Sequence, residues 1–357
     1  MSTPGLDTCG SLSFLGPYIR SLVINHVTTS TPAPDIARLT AAAEIHDYRR
    51  ASNPLASGAV PPIPGGRFPA RLHETGPSGV VPLDLSAALR CSGPATTPGL
   101  CSSFVRVQSG DAVATAANAT SQLFFVMRGH GRTVLGGGER SGGDHLPWET
   151  GDLFTLPAGS PARHEADSDA ALYWVHDEPL MRYLGAEATQ PRFEPTLHTA
   201  AAIREVLAEI VADPASTRAN RLSVLLGNSR FPDTQTVSHV LWAMFGLLPP
   251  RTVQAPHRHQ SVAVDLVVDA PPGCYTLVGP HLAEDGTIAD PERFDWETHS
   301  VFVTPPGLWH SHHNETDAPA HVLPIQDAGL QTFLRTLDIR FSQVGADGKL
   351  LVSGSAG

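Results

Sequence analysis

One stretch of this chain is written twice. WETGDLFTLPAGSPARH (148–164) and WETHSVFVTPPGLWHSH (296–312) align without a gap and agree at seven of seventeen positions: Trp148/Trp296, Glu149/Glu297, Thr150/Thr298, Phe154/Phe302, Pro157/Pro305, Gly159/Gly307 and His164/His312. Each copy follows a second related region, ATAANATSQLFFVMRG from 114 and APHRHQSVAVDLVVDA from 255. A repeat of this length means that one supersecondary unit is used twice, so the chain is expected to fold as two like modules. Short runs of Val, Leu, Phe and Thr separated by many of the 32 Gly and 32 Pro make those modules read as all-β.

Two segments read as helices. In DIARLTAAAEIHDYRR (35–50), Asp35 can cap and Ile36, Leu39 and Ala43 share a face. In TAAAIREVLAEIVADP (199–214), Ile203, Val206, Leu207, Ile210 and Val211 follow the helical period and Pro214 marks the end. The second lies between the modules and is expected to connect them.

Composition removes several classes of function. The net charge is -11 with only 24 Lys and Arg, which leaves no basic footprint for nucleic acid or an anionic membrane surface. No stretch approaches 18 uninterrupted apolar residues and no basic segment precedes an apolar core near the start, so the chain is expected to be cytoplasmic. Cys9, Cys91, Cys101 and Cys274 form no CxxC pair and are expected to be reduced thiols, with Cys91 and Cys101 the one pair to check.

The histidines differ between the copies. His257 and His259 stand at i, i+2 at the mouth of an alternating apolar run, so on a strand they face one side. TPPGLWHSHH supplies His310 and His312 at the same spacing after a Pro-Gly turn, and a GxYxxxG-like segment (Gly273, Tyr275, Gly279) lies between. The repeat sets His257, His259 and His310 against Ala116, Asn118 and Ala162. Three candidate ligands therefore vanish together from the first copy, as expected of one metal-binding module and one degenerate module. His312 recurs as His164 in the metal-less copy, so packing or hydrogen bonding is its simpler role; His313 and His321 read as ordinary.

LWAMFGLLPPRTVQAPHRHQSVAV (241–264) and TPPGLWHSHHNETDAP (304–319) resemble the cupin superfamily and, within it, the bicupin ring-cleaving dioxygenases typified by gentisate 1,2-dioxygenase and 1-hydroxy-2-naphthoate dioxygenase. The likeness spans about 110 to 340 and implies two double-stranded β-helix (jelly-roll) barrels with a few connecting helices. GRTVLGG and SDAALYWVHDEPLMRYLG resemble the family's metal-free second barrel, so the order is reversed here. The expected organisation is an arm or helical segment over 1–90, a degenerate cupin over 91–190, a helical linker over 191–220, a metal-binding cupin over 221–345 and a flexible tail over 346–357.

The resemblance implies a mononuclear Fe(II) on His257, His259 and His310, with dioxygen and a small aromatic compound as partners. Softness of the ligands alone also suits Ni, Cu, Co or Zn. His312 is implied as an acid/base or hydrogen-bonding group beside the metal, and Trp242 as a wall of the substrate pocket. Gly246 stands where relatives place a glutamine near the substrate. Asp265 stands where gentisate-type enzymes carry an arginine for the substrate carboxylate. Opposite unit charges at about 4 Å attract by about 4 kcal/mol at an effective dielectric near 20, so the inverted sign argues against gentisate and for an electron-rich phenolic or aminophenolic substrate. A pairing of Asp265 with Arg251 would instead keep it away from substrate. The other readings are a cupin lyase, isomerase or decarboxylase, which would turn over without oxygen, and a non-catalytic small-molecule-binding cupin. A homo-oligomer is compatible with the sequence, but no interface can be read from it.

Overall fold

The computed structural model describes residues 35–136, 145–344 and 350–354. The chain divides into a unit ending at Asn53 and a larger unit from Pro54 onward. In the first, two short helices, Ile36–Thr40 and Tyr48–Ala51, start at Asp35 and Asp47, whose carboxylates accept from the amides of Arg38 and Arg49. The single helix expected over 35–50 is therefore broken. Ile36 and Leu39 each remain 61% exposed, and a helix this short is not sustained without a buried face.

The larger unit contains the two expected barrels, each made of two antiparallel sheets. In the first, a six-stranded sheet runs in the order Thr196–His198, Leu153–Pro157, Ser121–Arg128, Ala170–His176, Cys101–Val107, Gly79–Pro82. It packs against four strands, Ala112–Thr115, Ala162–Ala166, His130–Leu135 and His145–Glu149. In the second, the order Arg67–Phe68, Val301–Thr304, Ala263–Asp269, Ala320–Gln326, Trp242–Leu248, Leu222–Leu226 packs against Glu292–Asp295, Cys274–Gly279, Trp309–Asn314, Thr252–Arg258, Arg340–Val344, Leu350–Ser353.

Strand alternation sets what each barrel shows its neighbour. Val264 and Leu266 point outward into a core shared with Leu123, Phe125 and Tyr173 of the first barrel, whereas Asp265 and Val267 point inward. The helix Ala200–Ala212 is the expected connector, capped by Thr199. It buries Ile203 and Leu207 in the shared core, while Val206 and Val211 stay 42% and 48% exposed, so its apolar stripe is narrower than its sequence period.

Two boundaries move. Arg67–Phe68 pairs with the second barrel and Gly79–Pro82 with the first, so the part of the expected arm from Pro54 onward belongs to the barrels. Leu350–Ser353 is a strand paired with Arg340–Val344, which replaces the flexible tail there; 346–349 and 355–357 lie outside the described residues. Cys91, Cys101 and Cys274 are free thiols, and Cys9 lies outside the described residues. Among the described residues no helix is long and apolar enough to cross a membrane.

Candidate metal centre

Two neighbouring strands bring four imidazoles into the second barrel. His257 lies on Thr252–Arg258, with His259 just beyond that strand's end, while His310 and His312 alternate on Trp309–Asn314. His257 sits opposite His310, and Gln254 opposite His312. All four are at most 5% exposed. Ring centroids are 4.1 Å apart for His257 and His310, 4.9 Å for His259 and His310, and 5.7 Å for His310 and His312. The ligating nitrogens of His257, His310 and His312 lie within 4.8 Å of one another.

The repeat explains His312. Trp296 Nε1 donates to Thr276 Oγ1 at 2.8 Å, and Thr276 Oγ1 lies 2.8 Å from His312 Nδ1. The first barrel builds the same chain: Trp148 Nε1 donates to Thr133 Oγ1 at 3.0 Å, and Thr133 Oγ1 lies 2.9 Å from His164 Nδ1. There His164 Nε2 meets the Thr115 hydroxyl at 2.9 Å, which satisfies the ring on both sides.

Strand register refines the comparison of the modules. Thr115 lies opposite Ala162 as His257 lies opposite His310, so the counterpart of His257 is Thr115 rather than the expected Ala116. The one-residue slip reflects an irregularity between Gln254 and His257 that the ungapped alignment could not carry. Asn118, the counterpart assigned to His259, serves a loop instead: it donates to Ala186 O and accepts from Ala188 N.

The four rings differ in what holds Nδ1. His257 Nδ1 faces Ala255 O at 3.2 Å, His259 Nδ1 faces Ser261 O at 2.8 Å and His310 Nδ1 faces Leu308 O at 3.2 Å. A carbonyl only accepts, so these nitrogens carry the proton and Nε2 presents a lone pair. His312 Nδ1 differs: it faces the Thr276 hydroxyl, which accepts from Trp296 and can either donate to the ring or accept from it. Burial first, then neighbouring charges, holds His257, His310 and His312 well below the usual histidine range, and burial brings His259 to about 4, so all four are neutral near pH 7. Neutral imidazole is the metal-binding form.

Beside them lies a residue the sequence reading missed. Arg221, half-buried just ahead of the Leu222–Leu226 strand, donates from Nη2 to His257 Nε2 at 3.1 Å and approaches His312 Nε2 at 3.5 Å. Burial lowers its pKa to about 10, and Asp265 partly offsets this. Asp265 is 2% exposed; burial pushes its carboxyl up to about 7, against the pull of Thr304 and Arg221. Thr304 Oγ1 donates to Asp265 Oδ2 at 2.5 Å, while Arg251 pairs with Asp317 at 2.8 Å, so the alternative partner expected for Asp265 is engaged elsewhere. Arg221, just ahead of the Leu222–Leu226 strand, thus brings a cation to the histidines and within reach of the buried Asp265 carboxyl.

A cavity of about 310 Å³ opens onto this site, lined by Arg221, Trp242, Met244, His257, His259 and Phe341 among others. Trp242 Nε1 is buried without a hydrogen-bond partner, which makes it an available donor on that wall. Gly246 lies apart from this cavity, in a small cleft beside Ser223, Arg221 and His312, where a Cβ would come within 3.0 Å of Ser223 Oγ. Phe341, from the strand paired at His257, stacks on the His257 ring at 5.9 Å and 19°. His313 stacks on Tyr275 and His321 pairs with Asp269, as ordinary residues do.

No family model matches the chain. It is 30% identical over 160 residues, 44% of its length, to 1-hydroxy-2-naphthoate 1,2-dioxygenase of Nocardioides sp. (strain KP7), and 28% identical over 116 residues, 32% of its length, to gentisate 1,2 dioxygenase 1 of Aquipseudomonas alcaligenes. These matches span 38% and 30% of the relatives' own lengths. In structure it is similar to salicylate 1,2-dioxygenase from Pseudaminobacter salicylatoxidans, with a TM-score of 0.63 at 15% identity, covering 86% of this chain and 97% of the other. At that identity the likeness is one of fold, and the fold is that of the two-barrel cupins.

Proposed function

We propose that the second barrel holds one iron(II) on the Nε2 atoms of His257, His259 and His310. On this reading the protein is a dioxygenase that opens the ring, or cleaves a C–C bond, of an electron-rich hydroxylated aromatic compound. The observation that carries the reading is the split among the four imidazoles. Three direct Nδ1 to a backbone carbonyl and so offer an Nε2 lone pair, while His312 Nδ1 is held by the Thr276 hydroxyl, in a Trp–Thr–His chain that the first barrel repeats at His164 without the other three histidines. Proximity alone would favour His257, His310 and His312. The carbonyl at His259 Nδ1, and the recurrence of the His312 chain in the first barrel, favour His259 over His312.

Iron bound there would activate dioxygen and a chelating phenolate together. The remaining roles belong to the chain's own residues. Arg221 offers a guanidinium to an anionic oxygen of the substrate, and a dry wall strengthens that attraction. Asp265, buried and bonded to Thr304, offers a carboxylate oxygen to a hydroxyl or amine on the ring. Trp242 offers a face for the ring and an unpartnered N–H. His312, beside His257 and His310, offers an acid/base or hydrogen-bonding group to an oxygen that gains charge during cleavage.

The test is oxygen uptake by anaerobically purified, iron-reconstituted protein with a panel of salicylate, gentisate, aminosalicylate, hydroxynaphthoate and aminophenol. One dioxygen consumed per aromatic ring lost is the expected result. Turnover that proceeds equally without oxygen would replace this reading by a lyase, isomerase or decarboxylase.

A further inference from the structure

A second, larger cavity, about 610 Å³, lies behind the strand that carries Trp242. Phe245 and Leu247 of Trp242–Leu248 point into it, while Trp242 and Met244 face the metal pocket on the other side. The opposite wall is the helix Ala200–Ala212, where Ile203 and Leu207 are apolar and Ala200 and Ala208 keep the helix surface low. At the third side two equivalent turns of the repeat meet, Thr150-Gly151 from the first barrel and Thr298-His299 from the second.

Two features mark this as more than a packing seam. His299 holds a φ of 64°, where its counterpart Gly151 has 91°. A side chain at such a φ costs about 1 kcal/mol or more relative to glycine, and the ring kept there lines the cavity. Rings also face inward from Phe125, Phe245 and His321, with Phe245 and His321 centroids 5.5 Å apart. The polar groups are uneven. Asp269 is already paired with His321 Nδ1 at 2.9 Å, whereas Arg204, on the helix wall, makes no ion pair or hydrogen bond among the described residues.

We propose that this cavity is a binding site, separate from the metal centre, for an aromatic monocarboxylic acid of one or two rings. The ring lies among Phe245, Leu247 and Leu207, and the carboxylate meets Arg204. The volume falls within the range of about 300–1,000 Å³ usual for small-molecule sites, and ring edges and faces suit an aromatic occupant better than an aliphatic one. The single unpaired cation fixes the charge of the occupant at one negative group. This inference does not depend on the reaction at the metal centre.

The probe is 1-naphthoate, which lacks the neighbouring hydroxyl a metal chelator needs. It is titrated calorimetrically into the metal-loaded protein and into Ala208→Trp, Arg204→Gln and His257→Ala. Ala208 and Arg204 are exposed on the helix, so both substitutions leave the core intact; if Ala208→Trp does not fold, Ala208→Leu makes the same comparison. One naphthoate per chain is expected, with affinity falling about tenfold or more in Ala208→Trp and Arg204→Gln and unchanged in His257→Ala. Neutral 1-naphthalenemethanol should lose affinity only in Ala208→Trp. Absence of saturable binding at millimolar probe, or binding unaffected by filling the cavity, would overturn the site. Loss only in His257→Ala would assign the binding to the metal pocket. Weakening by Ala208→Trp without weakening by Arg204→Gln would overturn the acid as occupant.

Discussion

Asp265 occupies in the second barrel the place that Phe124 occupies in the first. Asp265 lies opposite Phe302 and Phe124 opposite Phe154, and those two phenylalanines are equivalent in the repeat. Phe124 closes its barrel by stacking on Phe154 at 4.8 Å and on Trp174 at 5.6 Å. In the second barrel the same position carries a buried carboxyl, and space remains for the cavity at the histidines. The duplicated scaffold is thus filled in one copy and opened in the other.

From this follows the behaviour of Asp265 variants. Asp265→Asn keeps an oxygen for the Thr304 hydroxyl and removes the buried charge, so fold and metal content should persist. If the carboxylate accepts a hydrogen bond from substrate, kcat/KM should fall about tenfold, the equivalent of one charged hydrogen bond. Asp265→Arg sets a second cation near Arg221 and should lower it further. Steady-state kinetics over the aromatic panel decides; unchanged kcat/KM in both variants would remove Asp265 from the site.

The ligand assignment predicts a pattern that proximity alone does not. Elemental analysis should find about one iron per wild-type chain and a loss of most of it in His257→Ala, His259→Ala and His310→Ala. His312→Ala should retain the metal and lose turnover by about a hundredfold, in the range of a missing proton donor. Retention in His259→Ala with loss in His312→Ala would select the tighter triad instead.

Much of the site was legible because its parts lie in two short segments. The HxH pair closes the Thr252–Arg258 strand and the PPGLWH turn opens the Trp309–Asn314 strand, and the alternation of the Ala263–Asp269 strand carries Asp265 inward. Arg221 was not legible, since it lies 36 residues before His257 and only the fold brings it to that ring. The Trp–Thr–His chain was half legible: Trp148/Trp296 and His164/His312 share one offset, while Thr133 and Thr276 follow another because the intervening loops differ in length. The helix expected over 35–50 failed for the opposite reason, a locally good pattern without a buried face to sustain it.

The same chain makes different demands in the two barrels. Thr133→Val leaves the Trp148 N–H and His164 Nδ1 buried without partners, at about 1–3 kcal/mol each. Denaturant unfolding should register this as lost stability, with the activity of the folded fraction unchanged. Thr276→Val should cost a similar amount and also lower turnover, because it releases His312 from the contact that fixes its ring at the site. Equal loss of activity in both variants would show that the chain serves only to hold the fold.

A second duplicated element predicts a pH dependence of stability. Asp177 accepts from the Ser121 amide at the end of the first barrel's Ala170–His176 strand, and Asp327 accepts from the Val262 amide at the equivalent point of the second. Burial raises both carboxyls, Asp327 to about 6 against an ordinary 3.8, with Gln331 and the Val262 amide pulling the other way. For Asp327 the folded state therefore binds its proton more tightly than the unfolded state. This contribution to stability is full below about pH 4 and is lost as pH rises through about 6, by about 3 kcal/mol in total. Asp327→Asn retains an oxygen for the Val262 amide and has no charge to bury. Urea midpoints of wild type and Asp327→Asn should therefore converge toward pH 4 and separate in favour of the variant by pH 7.5. A difference independent of pH would mean that the carboxyl is relieved of its burial in the folded protein.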